Sequence, residues 1–217
     1  MIKSFSKWKI HEVEEEFQVE QQYEYALLDE WIKDGGDVFG DSEQSHTNTL
    51  HDLQKHLDRH VYSWNEQELK IEFIGPLLKL IDFYQTHYRP FFEREIAAPY
   101  KNETLSGEVD FVIANGLRIP KQPYFFIHEH KKEANSDGDP LGQVMIAMVA
   151  AQMLNQDEHP IYGAYIVGRY WNFVVLNGKE YAVSRGYDAS LDDIKHIYRI
   201  LKKIKTIISR MTNLSCI

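Results

Sequence analysis

Two apolar runs that each carry charge at their centre constrain this chain more than any other feature. They are G-E-V-D-F-V-I-A at 107–114 and P-Y-F-F-I-H-E-H-K-K at 123–132. The first is rich in β-branched and aromatic residues and alternates about Asp110, which predicts a strand with Glu108, Asp110 and Val112 on one face. Val109, Phe111 and Ile113 are then expected on the other. Asn115, Gly116 and Pro120 punctuate the gap between the runs, so the two strands are expected to pair as a hairpin or near neighbours. In the second run a period of two puts Glu129 and Lys131 on one face and His128 and His130 on the other. Paired strands bring Asp110 within reach of Glu129. A carboxylate and an ammonium in so apolar a segment are costly to bury unless each finds a partner, and a metal ion is one such partner for the carboxylate.

The flanking segments frame this pair. Residues 11–33 open with E-V-E-E-E and continue into Tyr23, Leu27, Leu28 and Trp31, a spacing that predicts one amphipathic helix stopped by Gly35 and Gly36. A polar loop over 37–45 follows, and Leu50, Leu53, Leu57 and Val61 predict a second helix over 46–61 that forms a hairpin with the first. The spacing predicts a long helix over 64–84, kinked at Gly75-Pro76, with Glu66, Glu68 and Glu72 in its first turns. Residues 90–99 suit a strand in which Phe92, Arg94 and Ile96 alternate against Phe91, Glu93 and Glu95. After Lys131 a loop ends at Asp139, a helix N-cap, with Pro140 in the first helical position. The helix that follows, over 140–155, is almost entirely apolar beyond Gln143, so it is expected to be buried on most sides. Residues 161–184 read as two or three strands broken at Gly168-Arg169 and at Asn177-Gly178. A last helix over 191–211 turns Ile194, Ile197, Leu201, Ile204 and Ile208 inward and sets Lys195, Arg199 and Lys202 along another side. The expected fold class is therefore α/β (α+β), a mixed central sheet flanked by helices, with an N-terminal helical extension over 1–62 and the main domain over 63–217.

Asp110 on one strand and Glu129-His130-Lys131 on the next resemble the signature of the PD-(D/E)xK nuclease superfamily, an acidic residue followed by Glu-x-Lys. The order helix, three strands, helix, strand is similar as well, and the likeness covers roughly residues 65–210. Val109 stands where many members carry proline, and Ala147 stands four residues after Gln143 where one branch carries tyrosine. The resemblance implies a restriction-endonuclease-like core and hydrolysis of phosphodiester bonds, in DNA, leaving 5′-phosphate ends. It implies Asp110 and Glu129 as ligands of Mg²⁺ or Mn²⁺, with the backbone carbonyl of His130 as a third oxygen, and Lys131 at the attacking water. Many members also place an acidic residue on the preceding helix and a glutamine on the following one, which makes Glu68 the first choice among Glu66, Glu68 and Glu72 and adds Gln143. Favourable charge near a helix N-terminus explains the three glutamates without any such role, and a bond to a neighbouring backbone group would equally explain Gln143.

Asp110 and Glu129 are hard oxygen donors suited to such ions. His128-x-His130 also invites comparison with a cupin H-x-H, and H-E-H with a zincin helix, but the strand count and the absent second histidine of H-E-x-x-H rank both lower. A nuclease fold serving only as a nucleic-acid-binding or assembly module is the competing reading.

The net charge of −9 looks unfavourable for a nucleic-acid partner until it is located. The first 60 residues hold 14 Asp and Glu against 6 Lys and Arg, and the other 157 balance at −1. A local basic groove is enough for phosphate contact, and Lys195, Arg199 and Lys202, with Arg169, are the candidates. The acidic helices are expected either to be solvated faces or to mask a groove or receive a partner, a second copy included. One cysteine, Cys216, excludes an intrachain disulfide, and no apolar run approaches the length of a membrane span. With no apolar leader after Met1, a cytoplasmic location is expected.

Overall fold

Both charged apolar runs form strands, and an eight-stranded mixed sheet is built around them. The computed structural model describes residues 4–33, 44–134, 138–155 and 159–214. The stop at Gly35 and Gly36, most of the 37–45 loop and Cys216 lie outside these residues. A 3-10 turn at Phe5–Lys7 leads into α1 (Ile10–Phe17), β1 (Glu20–Gln21), α2 (Ala26–Ile32) and α3 (Gln44–His60). Then come α4 (Glu66–Leu69), a π-helical stretch (Lys70–Ile74) and α5 (Gly75–Ile81), which together make one continuous helix. Three strands follow, β2 (Arg89–Tyr100), β3 (Glu103–Asn115) and β4 (Lys121–Lys131). The rest is α6 (Pro140–Asn155), β5 (Ile161–Val167), β6 (Tyr170–Asn177), β7 (Glu180–Val183), β8 (Tyr187–Asp188) and α7 (Asp193–Leu214).

The strands run in the order β1-β7-β6-β5-β4-β3-β2, with β8 against β6. β2, β3 and β4 are antiparallel, β5 returns parallel to β4 through the α6 crossover, and β6 and β7 continue antiparallel. Two cores result. One lies under α2, α3, α5 and α7, around Trp31, Phe73, Phe126, Trp171 and Leu201. The other lies under α6, around Phe5, Phe17, Ile127, Met145 and Val174.

The largely apolar character of α6 now has its cause. Its inner side meets β4 and β5, and its outer side is crossed by the N-terminal segment, so closely that a Cβ on Gly142 would stand 2.6 Å from the Trp8 carbonyl. Asp139 caps α6 as expected, accepting from Gly142 N–H at 2.9 Å, and its second oxygen accepts from Ile10 N–H at 2.8 Å, so one carboxylate serves two helix starts.

In place of the single helix expected over 11–33, the chain leaves α1 through left-handed Gln18 (φ 54°), adds β1 to the sheet edge parallel to β7, and starts α2 beneath the opposite core. Val13 and Phe17 form one short apolar pair and Leu28 and Trp31 another, each facing a different core, and in sequence they blend into a single period. Residues among the first 62 thus contribute to both cores. The acidic run is also used internally. Glu14 accepts from Tyr181 Oη, and Glu16 accepts from Tyr100 Oη and Lys101 Nζ, each at 2.6 Å. Phe5 is buried against Gly107, so Phe5→Ala is expected to lower stability by about 3–5 kcal/mol in urea unfolding. A loss near zero would show that the N-terminal segment is not part of the core.

Just before Gly75-Pro76, where the sequence predicts a kink, the helix runs through the π-helical stretch, and Gly75 N–H donates to Lys70 O across a widened turn. A larger departure sits at Asp110. Val109 belongs to the α6 core, whereas Phe111 and Ile113 belong to the opposite one, so the expected shared face is broken between 109 and 111. Its partner strand changes face at the same level, since Phe91 and Ile96 lie in one core despite opposite parity. Glu93, opposite Asp110, has φ 50°, and the β2–β3 ladder skips that pair. A residue held at positive φ rotates both strands there.

Candidate active site

Asp110 stands where strands β3 and β4 separate, because the ladder between them ends at Phe111 and His128. Its Oδ2 accepts from the His130 backbone N–H at 2.8 Å and lies 3.1 Å from His130 Nδ1. Burial pushes the Asp110 carboxyl up, but the hydrogen bonds and charge of His130 outweigh it and hold the group well below the usual carboxylate range. Glu129 behaves in the opposite way. Only 6% of it is exposed, and burial, followed by the charge and hydrogen bonding of Asp110, pushes its carboxyl well above the usual range. Its Oε1 is buried with no hydrogen-bond partner. The pair thus shares one negative charge comfortably and two only with an added cation.

Around this pair, Lys131 Nζ lies 3.8 Å from Glu66 Oε1, and the Lys131 carbonyl accepts from Gly168 N–H at 2.8 Å. Lys70, largely buried, pairs with Glu93. His128 is fully enclosed, its ring stacked 4.6 Å from that of Phe111 and neither nitrogen hydrogen-bonded, and burial, then the His130 charge, lowers it to about 3. The imidazole is a neutral wall of the site.

Of the residues predicted from sequence, the structure brings together Asp110, Glu129, His130 and Lys131. Glu68 is placed elsewhere: its carboxylate accepts from Asn65 N–H at 2.8 Å while Asn65 Oδ1 accepts from Glu68 N–H at 2.9 Å, a capping box that occupies the side chain at the start of α4. Glu66 is the glutamate that reaches Lys131, and Glu72 meets His56 Nε2 at 3.3 Å. Gln143 is buried, and its Nε2 donates to Ser6 O at 3.4 Å, so it ties α6 to the N-terminal segment. Lys70 and Glu93 were missed. Their sequence signals were weak: Lys70 follows Glu66 at i+4, and Glu93 interrupts an aromatic run.

The basic candidates divide as well. Arg169 does not project free: it stands 3.1 Å from Glu133 and 3.9 Å from Asp188, and lies over the Tyr62 ring. Lys195 is held by Asp192 at 3.3 Å. Arg199 and Lys202 line a groove of about 270 Å³ beside Trp31, together with Lys33, Lys203 and Arg210. Gly168, between Lys131 and Arg169 in this network, has φ 55°, and a Cβ there would stand 1.9 Å from Glu133 Oε2 and 2.8 Å from Glu133 Cα. Gly168→Ala is therefore expected to cost about 2–4 kcal/mol by chemical denaturation, from strain and overlap together. Unchanged stability would mean that the Glu133 contact is not held in solution.

No protein-family model matches the chain, and no curated protein matches it. What the site can do is therefore read from its donors. Two adjacent carboxylates, one with an unpartnered buried oxygen, fit a hard divalent ion such as Mg²⁺, which takes one or two carboxylates and fills its remaining positions with water or phosphate. Among the described residues no group of three or more His, Cys, Asp or Glu side chains converges on one point, so a site built wholly from such side chains is not present there. Among the described residues, too, no helix is long and apolar enough to cross a membrane.

Proposed function

We propose that this chain is a metal-dependent nuclease that hydrolyses phosphodiester bonds in DNA. The observation that carries the reading is Glu129: a carboxylate enclosed by apolar strands, with an oxygen lacking a partner, beside Asp110 and followed two residues later by Lys131. Such an arrangement is costly for folding and is accounted for by a cation it receives. The order helix, three antiparallel strands, helix and parallel strand adds support, because it is the order the PD-(D/E)xK resemblance implies.

Asp110, Glu129 and the backbone carbonyl of His130 would hold Mg²⁺ or Mn²⁺. When bound, the ion supplies Lewis-acid neutralisation of phosphate charge and makes a coordinated water more acidic. The residues of the chain do the rest. His130 N–H holds the Asp110 carboxylate in place, and the His128 and Phe111 rings exclude water behind it. Lys131 orients the attacking water and offsets negative charge as the phosphorus becomes five-coordinate. Glu66 restrains the Lys131 ammonium from the helix side. Arg199 and Lys202 supply phosphate-backbone contact away from the carboxylates.

The test is incubation of the purified protein with linear, circular and single-stranded DNA in Mg²⁺ or Mn²⁺, beside Lys131→Ala. Metal-dependent cleavage lost in the variant supports the enzyme. Binding without cleavage by either protein would assign the fold to a non-catalytic module.

A further inference from the structure

A second feature adjoins the carboxylates. Between α5 and the β2–β3 ribbon lies a cavity of about 430 Å³, walled by Phe83, Tyr84, Pro90, Phe92 and Phe111. Its lining neighbours the candidate site at Phe111, which follows Asp110 in the chain and whose ring stacks on His128, and the His128 ring centre lies 6.1 Å from that of His130. The change of strand face at Glu93 and Asp110 turns Phe111 toward this side while Val109 stays in the α6 core. Tyr84 is 65% exposed and Phe92 37%, so aromatic surface that a monomeric fold normally covers faces the opening. Lys79 and Asp82 sit on the lining, one a donor and the other an acceptor.

We propose that this cavity receives a nucleobase turned out of the stack, so the strand is cut where it is single-stranded or locally opened. The inference rests on the nuclease reading and names its substrate class. Tyr84 and Phe92, the exposed aromatic rings of the lining, offer stacking to any base, which an aliphatic side chain cannot use, and the cavity lies within the roughly 300–1,000 Å³ typical of small-ligand sites. Lys79 and Asp82 can satisfy the donors and acceptors on the edge of a base, which an apolar peptide side chain lacks. A base inside an intact duplex is stacked on both faces and cannot enter.

The experiment compares binding of the full chain, in metal-free buffer, to a short single-stranded oligodeoxynucleotide and to an abasic strand of the same length. The base-bearing strand is expected to bind roughly tenfold more tightly, and Tyr84→Ala or Phe92→Leu to remove most of that preference. Tyr84 is exposed, so its variant keeps the fold, which a thermal melt checks. Equal affinity of the wild type for both strands, or a preference that survives in both variants, overturns the pocket. The hydrolytic reading fails separately, if Lys131→Ala cuts DNA as the wild type does, and the base preference is read from binding alone.

Discussion

Lys131→Ala is expected to lower Mg²⁺-dependent cleavage by about 10²–10⁴-fold, the range for removing a group that handles a proton or developing charge in the transition state. The variant is expected to stay folded. The partner of Lys131 is Glu66 at 3.8 Å, about half-exposed, and such pairs contribute only about 0–1 kcal/mol. Single-turnover cleavage with saturating enzyme separates the chemical step from DNA affinity, and a thermal melt checks the fold. Glu66→Gln, which leaves the lysine in place but unpaired, is expected to lower the rate far less. Equal rates for wild type and Lys131→Ala would remove this residue from the reaction.

Glu129→Gln and Asp110→Asn are expected to abolish metal-dependent cleavage while moving metal-free stability in opposite directions. Glu129 carries a carboxyl pushed upward by burial and then by Asp110, with one oxygen unpartnered, so an amide of the same shape is expected to raise stability by about 1 kcal/mol. In a chain of this size that corresponds to a melting point higher by about 2–4 °C. Asp110 is held low by His130, so its ionised form favours the fold, and Asp110→Asn is expected to cost about 1–3 kcal/mol. The signs follow from linkage. A raised carboxyl contributes stability that is complete below its ordinary value of 4.5 and is lost as pH rises through its folded value. In metal-free buffer the advantage of Glu129→Gln over wild type therefore grows with pH. The lowered Asp110 contributes stability above its ordinary value of 3.8 that is lost as pH falls through its folded value. Adding Mn²⁺ is expected to raise the wild-type melting point and to leave both variants unmoved, because only the intact pair binds the ion to the native state. Destabilisation by Glu129→Gln in metal-free buffer would show that the carboxylate is satisfied in solution and would remove the main support for a cation there.

Much of the site was legible because strand geometry is local. A period of two sets Glu129 and Lys131 apart from His128 and His130, and the apolar run around them makes the charge conspicuous. The choice among Glu66, Glu68 and Glu72 was not legible in the same way. All three suit the start of a helix, and only the register of that helix against β4 shows that Glu66 meets Lys131 while Glu68 closes a capping box with Asn65. Arg169 is a candidate for phosphate contact in the sequence, and nothing local shows that Glu133, thirty-six residues away in the chain, engages it.

The sequence by itself determined the elements and their order: α4 through α5, the three strands from β2 to β4, the capped and apolar α6, the strands after it, and a closing amphipathic helix. Periodicity and capping are properties of neighbouring residues, so they survive without any knowledge of the fold. Tertiary structure alone decided that α1 and α2 serve opposite faces of the sheet, that Glu93 and Asp110 bend two strands together, and that Lys70, Glu93 and an aromatic cavity adjoin the carboxylates. Those facts depend on which distant segment covers each face. An apolar stripe encodes the need to be covered and not the identity of its cover.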